Sequence, residues 1–144
     1  MAQEFQLQQS PVRTGHLAHS DVPSYASGQW TPSLSFQSPG DLSAIHSTQF
    51  GYYQKIGDRV TAWFQIVMST WTHTTASAAL IIAGLPFTSK NETSNFGSGS
   101  LATYSGVTNA GVTALTQLGI YVAINTTTIL FSWNGSSTAS SGTG

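Results

Sequence analysis

The chain has 144 residues, 40% of them apolar, with four basic and five acidic side chains and a net charge of -1. That length holds one domain with a buried core, and four basic residues cannot neutralise a run of phosphates, which excludes a nucleic-acid-binding surface. There is no cysteine, so disulfides and thiolate metal sites are excluded and stability must come from packing.

Forty residues are Ser or Thr, so the surface is solvated by hydroxyls and amides in place of charge. Ample apolar content with little charge is the opposite of a disordered composition. No apolar run approaches transmembrane length, so no membrane insertion is predicted. Met1 to Ser10 lacks the apolar core of a signal peptide, and synthesis and assembly in a cytoplasm are expected.

In chain order, residues 1–27 come first. They are polar and non-periodic, broken by Pro11, Gly15 and Pro23, which predicts an extended arm without a core. Fully extended it would reach roughly 90 Å. Pro11, Arg13, His16 and His19 are its candidate attachment residues. His16, His19 and Asp21 are residue types that suit a divalent ion, but ligands need a rigid scaffold, so no metal site and no cofactor are expected here.

From Gln29 onward, short alternating segments separated by turn residues predict an all-β domain over 28–134. Trp30 to Phe36 reads as one strand with Trp30, Pro32, Leu34 and Phe36 on a single face. Pro32 lacks a backbone donor and places that strand at a sheet edge. Residues 37–48 read as a loop around Pro39-Gly40-Asp41. Gln49 to Ile56 and Arg59 to Thr72 then form a hairpin, with Gly57 supplying the positive φ of a II′-type turn.

The second strand of that hairpin carries the clearest pattern. Val60, Ala62, Phe64, Ile66 and Met68 read as core. The opposite set contains Trp63, Val67 and Trp71, four residues apart, where alternation should place polar residues. A second layer or a partner must cover that face. Trp63, Val67 and Trp71 are therefore the predicted subunit interface.

Ser77 to Ala83 reads as a buried strand ending at Gly84, and Leu85-Pro86-Phe87 as a bend that plugs the end of the fold. Thr88 to Gly99 is predicted to be an exposed loop. Leu101 to Ser105, Val112 to Ile124 and Thr127 to Trp133 complete the strands, with Leu118, Ile120, Val122 and Ile124 facing the core and Asn125-Thr126 turning the last hairpin. Residues 135–144, rich in Ser, Gly and Thr, read as a flexible tail. No segment has helical periodicity.

Three segments also stand in a recognisable order: Trp30-Thr31-Pro32-Ser33-Leu34-Ser35-Phe36, then Gly51-Tyr52-Tyr53-Gln54-Lys55-Ile56-Gly57-Asp58-Arg59-Val60, then Gly84-Leu85-Pro86-Phe87. Together they resemble the trimeric β-domain found in phage and large-virus tail fibre, spike and capsid decoration proteins. The motif positions are Trp30, Pro32, Gly51, Tyr53, Lys55, Ile56, Gly57, Val60, Gly84, Leu85, Pro86 and Phe87. The resemblance implies a jelly-roll-like antiparallel β-sandwich that assembles as a homotrimer around a three-fold axis. It also implies a place in a virion, where domains of this kind serve host attachment.

In that family the domain usually stands at the end of a long shaft. Here fewer than 30 residues precede it, so the expected role is capsid decoration, as a cement or head-spike protein held on the shell by its N-terminal arms. Its partners are then itself and the major capsid protein or other virion proteins. The alternative is the receptor-binding tip of a tail fibre or tail spike, which adds a host surface glycan as a partner.

No catalytic residues are predicted. There is no Gly-x-Ser-x-Gly elbow, and Asp41, Asp58 and Glu92, the carboxylates of the domain, all fall in turns, a poor source for a glycosidase pair. Lys55 and Arg59 flank Asp58 and are expected to pair with it. His46 and His73 are expected to be solvated, in or beside loops. The Asn-x-Ser/Thr triplets at Asn91, Asn125 and Asn134 are near chance frequency in so Ser/Thr-rich a chain.

Overall fold

The computed structural model describes residues 24–94, 96–107, 115–135 and 141–143. Among them there is no helix, and the strands are β1 (Tyr25–Trp30), β2 (Ser33–Ser38), β3 (Ser43–Ile56), β4 (Arg59–Thr72), β5 (Ser77–Ala83), β6 (Gly97–Ser100), β7 (Leu115–Val122), β8 (Ile129–Gly135) and β9 (Ser141–Thr143). They form two antiparallel sheets. The smaller has the order β1-β3-β4. In the larger the order is β2-β5-β8-β7-β6, and β9 pairs with β8.

The two sheets pack face to face. Trp30, Ile82, Leu118, Ile120, Ile129 and Phe131 are the buried cluster, and Ala62, Phe64 and Ile66 of β4 close on it from the small sheet. β4 thus supplies the even-numbered side chains that its alternation predicts. Val60 departs from the expected core set: it lies next to the hairpin end and is 38% exposed.

Trp30 to Phe36 is two strands, a correction to the single strand expected. Thr31 and Pro32 leave the small sheet and carry the chain into the large one. Pro32 fixes its own φ and has no N–H to pair, so it is suited to this crossover, where it is fully buried. Both flanking strands are sheet edges, in keeping with the proline.

The Gly57-Asp58 turn is as expected. Ile56 pairs with Arg59 across a two-residue loop, Gly57 has φ 57°, and Asp58 is not at positive φ. Positive φ at the first central position alone is the II′ pattern. β4 and β5 also run between the predicted bounds.

Several other boundaries differ. β1 starts at Tyr25, so part of the expected arm is sheet; residues 1–23, with Pro11, Arg13, His16 and His19, lie outside the described residues. β3 starts at Ser43 and takes in half of the expected loop. Leu101 to Ser105 is irregular, and Gly97–Ser100 forms the strand instead, two glycines lying close over Val122 and Ile120. Ile124 sits in a turn. Within the expected tail, β9 pairs with Ser132–Asn134.

Candidate functional site

Trp30, Gly51, Gly84 and Leu85 of the motif meet in one packing unit, whereas Ile56 and Val60 are exposed near the hairpin end. Trp30 lies opposite Gly51, and a Cβ at position 51 would sit 2.6 Å from Trp30 Cε2. Only glycine lets the indole lie flat across β3, where its Nε1 donates to the Trp63 carbonyl at 3.2 Å and its ring meets Phe64 edge-on at 6.1 Å. Gly84 has φ 94°, and a Cβ there would stand 2.5 Å from the Thr31 carbonyl oxygen. Both glycines are therefore fixed by close approach.

Leu85-Pro86-Phe87 follows at once. Leu85 packs against the core. Phe87, half-buried, sits edge-on to Tyr53 at 5.1 Å with Lys55 Nζ 5.8 Å from its ring centroid. Lys55 thus rests on an aromatic face, and neither it nor Arg59 forms an ion pair with Asp58. The ion pair among the described residues is Lys90–Glu92, 2.8 Å and exposed; Glu92 beside it raises the Lys90 pKa.

The expected interface stripe divides. Directly paired residues share a face of an antiparallel sheet, so Tyr52, opposite Trp63, places Phe50 and Val67 on the same outer surface. Trp63 is 50% exposed, Phe50 50% and Val67 43%. Trp71 is not among them. The β3–β4 register is irregular around His46, where Ser47 Oγ donates to the Val67 carbonyl and Ser69 Oγ to the Ile45 carbonyl. This paired irregularity shifts the phase of both strands and turns Trp71 inward onto Phe36, at 5.5 Å between ring centroids.

The same phase shift moves His46 inward, a correction to its solvated placement: its Nε2 accepts a hydrogen bond from the Leu34 amide at 3.3 Å. His73 follows β4 directly, exposed but set edge-on against Phe36 at 4.8 Å.

Two surfaces result. The first is the outer face of the small sheet. Tyr25 and Ile56 extend it at the hairpin end, and Tyr52 and Trp63 stack at its centre, 6.1 Å apart with planes tilted 30°. No described layer covers it. By register, Arg59 is the charged residue it carries among the described residues. The second is a groove of about 550 Å³ between the sheets at the end away from that hairpin. Phe36, Met68, Trp71, His73, Phe131 and Trp133 contribute to its wall.

A latch borders the groove. Asp41 accepts hydrogen bonds from the amides of Thr74 (2.9 Å) and Thr75 (2.8 Å) and from both their hydroxyls, while its own amide donates to Thr75 Oγ1 at 3.1 Å. The Thr74 hydroxyl first, and then the two amides, hold the Asp41 carboxyl well below the usual carboxylate range. The sequence pointed to Asp41 only as a turn residue.

Sequence reasoning missed the groove. Its only local sign was the closely spaced Trp71 and His73, two residues apart, and it depends on pairing between distant strands. Among the described residues no cluster of three or more His, Asp or Glu could hold a metal ion, and no helix is long and apolar enough to cross a membrane. No model of a known protein family, no curated protein and no solved structure matched the chain.

Proposed function

We propose that the chain is a virion structural protein, a jelly-roll-like homotrimer that decorates the capsid surface, with its N-terminal arm as the attachment element. The observation that carries this reading is the uncovered apolar face built from Tyr52, Phe50, Trp63 and Val67. Exposed patches of this kind mark protein contacts, and aromatic residues are the usual anchors of such contacts. Nearly charge-free, the face suits a second copy of itself better than any charged partner.

The arm's root supports the polarity. The Gly57 amide donates to the Ser24 carbonyl at 2.8 Å, so the chain enters the sheet at the hairpin tip. Trp71 lies twelve residues beyond Arg59 along β4, which is about 40 Å of strand. Attachment at one end leaves the groove at the other.

Sedimentation of the full chain at micromolar concentration tests the assembly. A trimer is expected, with Trp63→Ser/Val67→Ser shifted to monomer while retaining its fold by circular dichroism. A monomeric parent protein refutes the trimer. Mass-spectrometric copy number in purified particles tests the location: hundreds of copies support decoration, and a handful assigns the protein to a tail tip.

A further inference from the structure

The small sheet is open along one edge. It has three strands against six in the large one, and among the described strands none pairs with the far side of β4. The side chains that β4 turns to the core, Ala62, Phe64 and Ile66, are only partly buried, as expected at the rim of two packed sheets. The backbone is open on the same side. The Trp63 and Val67 carbonyls accept from the Trp30 indole and the Ser47 hydroxyl, which belong to β1 and β3, so these carbonyls turn toward β3. Backbone groups alternate between the two edges of a strand, so the amides and carbonyls of Phe64 and Ile66 turn to the free edge. A long edge without charge along its length needs a cover.

The chain itself carries a segment that fits. Residues 1–23 leave the fold at Ser24, whose carbonyl accepts from the Gly57 amide, so they depart at the hairpin turn, where β4 begins. Although these residues have no period overall, residues 2–10 contain neither proline nor glycine, and within them Phe5 and Leu7 alternate with Glu4, Gln6 and Gln8, the pattern of a half-buried strand. Residues 11–23 then form the connection, which reaches roughly 40 Å when extended. The step from β1 past β3 and β4 to a new edge position is only about 14 Å at the usual strand spacing. A segment that returns to the turn alongside β4 runs antiparallel to it, because β4 starts from that turn. Being tethered, it meets its own edge at a far higher effective concentration than the edge of another chain.

We infer that residues 2–10 form a fourth strand of the small sheet, antiparallel to β4 of the same chain, with Phe5 and Leu7 turned to the core and Glu4, Gln6 and Gln8 on the outer face. Main-chain hydrogen bonds along the edge hold the segment, and the two apolar side chains choose its face. Pro11, Arg13, His16 and His19, the candidate attachment residues, fall in the connection and stay free for a partner. The inference does not rest on the assembly proposed above: a monomer in sedimentation refutes the trimer and leaves the fourth strand intact.

Two measurements on the full chain test it. In amide hydrogen exchange, Phe64 and Ile66 should exchange at least about tenfold more slowly than their intrinsic rates. Gln6→Pro, which removes a backbone donor from the middle of the segment, should abolish that protection while the Trp63 and Gln65 amides, turned toward β3, keep theirs. The second measurement uses the absence of native cysteine. Combined with Gln65→Cys on the outer face, at least one of Glu4→Cys, Gln6→Cys and Gln8→Cys should form a disulfide within one chain on mild oxidation, and Gln3→Cys and Gln9→Cys, on the opposite face, should not. Exchange of Phe64 and Ile66 at their intrinsic rates, protection that survives Gln6→Pro, or no preference for the even-numbered set overturns the inference. Disulfides that join two chains overturn it as well, and would give the edge to the segment of a second copy.

Discussion

The seating of Trp30 on Gly51 can be tested with one methyl group. In Gly51→Ala the new Cβ falls 2.6 Å from Trp30 Cε2 and 2.7 Å from Cδ1, so the indole must rise off β3. Overpacking of this kind costs about 1–3 kcal/mol. The lifted ring also loses its hydrogen bond to the Trp63 carbonyl, worth about 1 kcal/mol. Replacing glycine within a strand returns roughly 0.5–1 kcal/mol of backbone entropy. The net expectation is a loss of about 1.5–3 kcal/mol, a fall in Tm on the order of 6–12 °C for a domain of this size.

Thermal unfolding followed by near-ultraviolet circular dichroism measures this loss. A double-mutant cycle with Trp30→Phe identifies its origin, since the smaller ring makes room for the methyl. The two substitutions should be less costly together than their sum by at least about 0.5 kcal/mol. A Gly51→Ala melting curve superimposed on the parent's, or strictly additive costs, refutes the packing argument.

Phe87→Ala should cost about 2 kcal/mol, below the range for a fully buried ring because Phe87 is only half-buried; an unchanged Tm would show that the ring does not plug the sheet end. Asp41 has a depressed pKa, so its contribution to the latch is complete above the unfolded-state value of about 3.9 and is lost as pH falls below it. Hydrogen exchange at the Thr74 and Thr75 amides, corrected for intrinsic rate, should accelerate on acidification below that point. In Asp41→Asn the protection should be low at every pH; persistence of the parent's acid dependence would place the titrating group elsewhere. Removing the Lys90–Glu92 pair with Glu92→Gln should change stability by less than about 0.5 kcal/mol, as exposed pairs do, and a larger loss by chemical denaturation would contradict its surface character.

Local chemistry made much of the fold legible. Gly57 announced its turn through the φ it needs, β4 announced itself through the apolar alternation from Ala62 to Met68, and β5 through a short continuous apolar run. The errors share a cause, which is that alternation gives the phase of a strand only while the strand remains regular. Ser47 and Ser69 are small and polar, and nothing in their own neighbourhoods says that each is left without a partner in the β3–β4 register. Their omission resets the count, so Trp63 and Trp71 face opposite ways despite a spacing that predicts one face. Pro32 was read correctly as incompatible with central pairing, but sequence alone does not say whether a strand ends there or changes sheet. The groove was illegible for the same reason: Phe36, Trp71 and Trp133 meet only through tertiary pairing.

Among the described strands β4 lies at the edge of its sheet, and it has fourteen residues without a proline. Its single charge is Arg59, at one extremity. Edge strands that are long, apolar and uncharged recruit further strands. In the assembly proposed above, a chain whose β4 edge is not yet occupied carries an open template for indefinite lateral growth, and the concentration of free protein has a ceiling set by that competing route. Seeding by preformed aggregates, or turbidity that rises with dwell time before assembly, would be the signature of that ceiling. A lysine placed at Gln65, midway along the strand, should raise it.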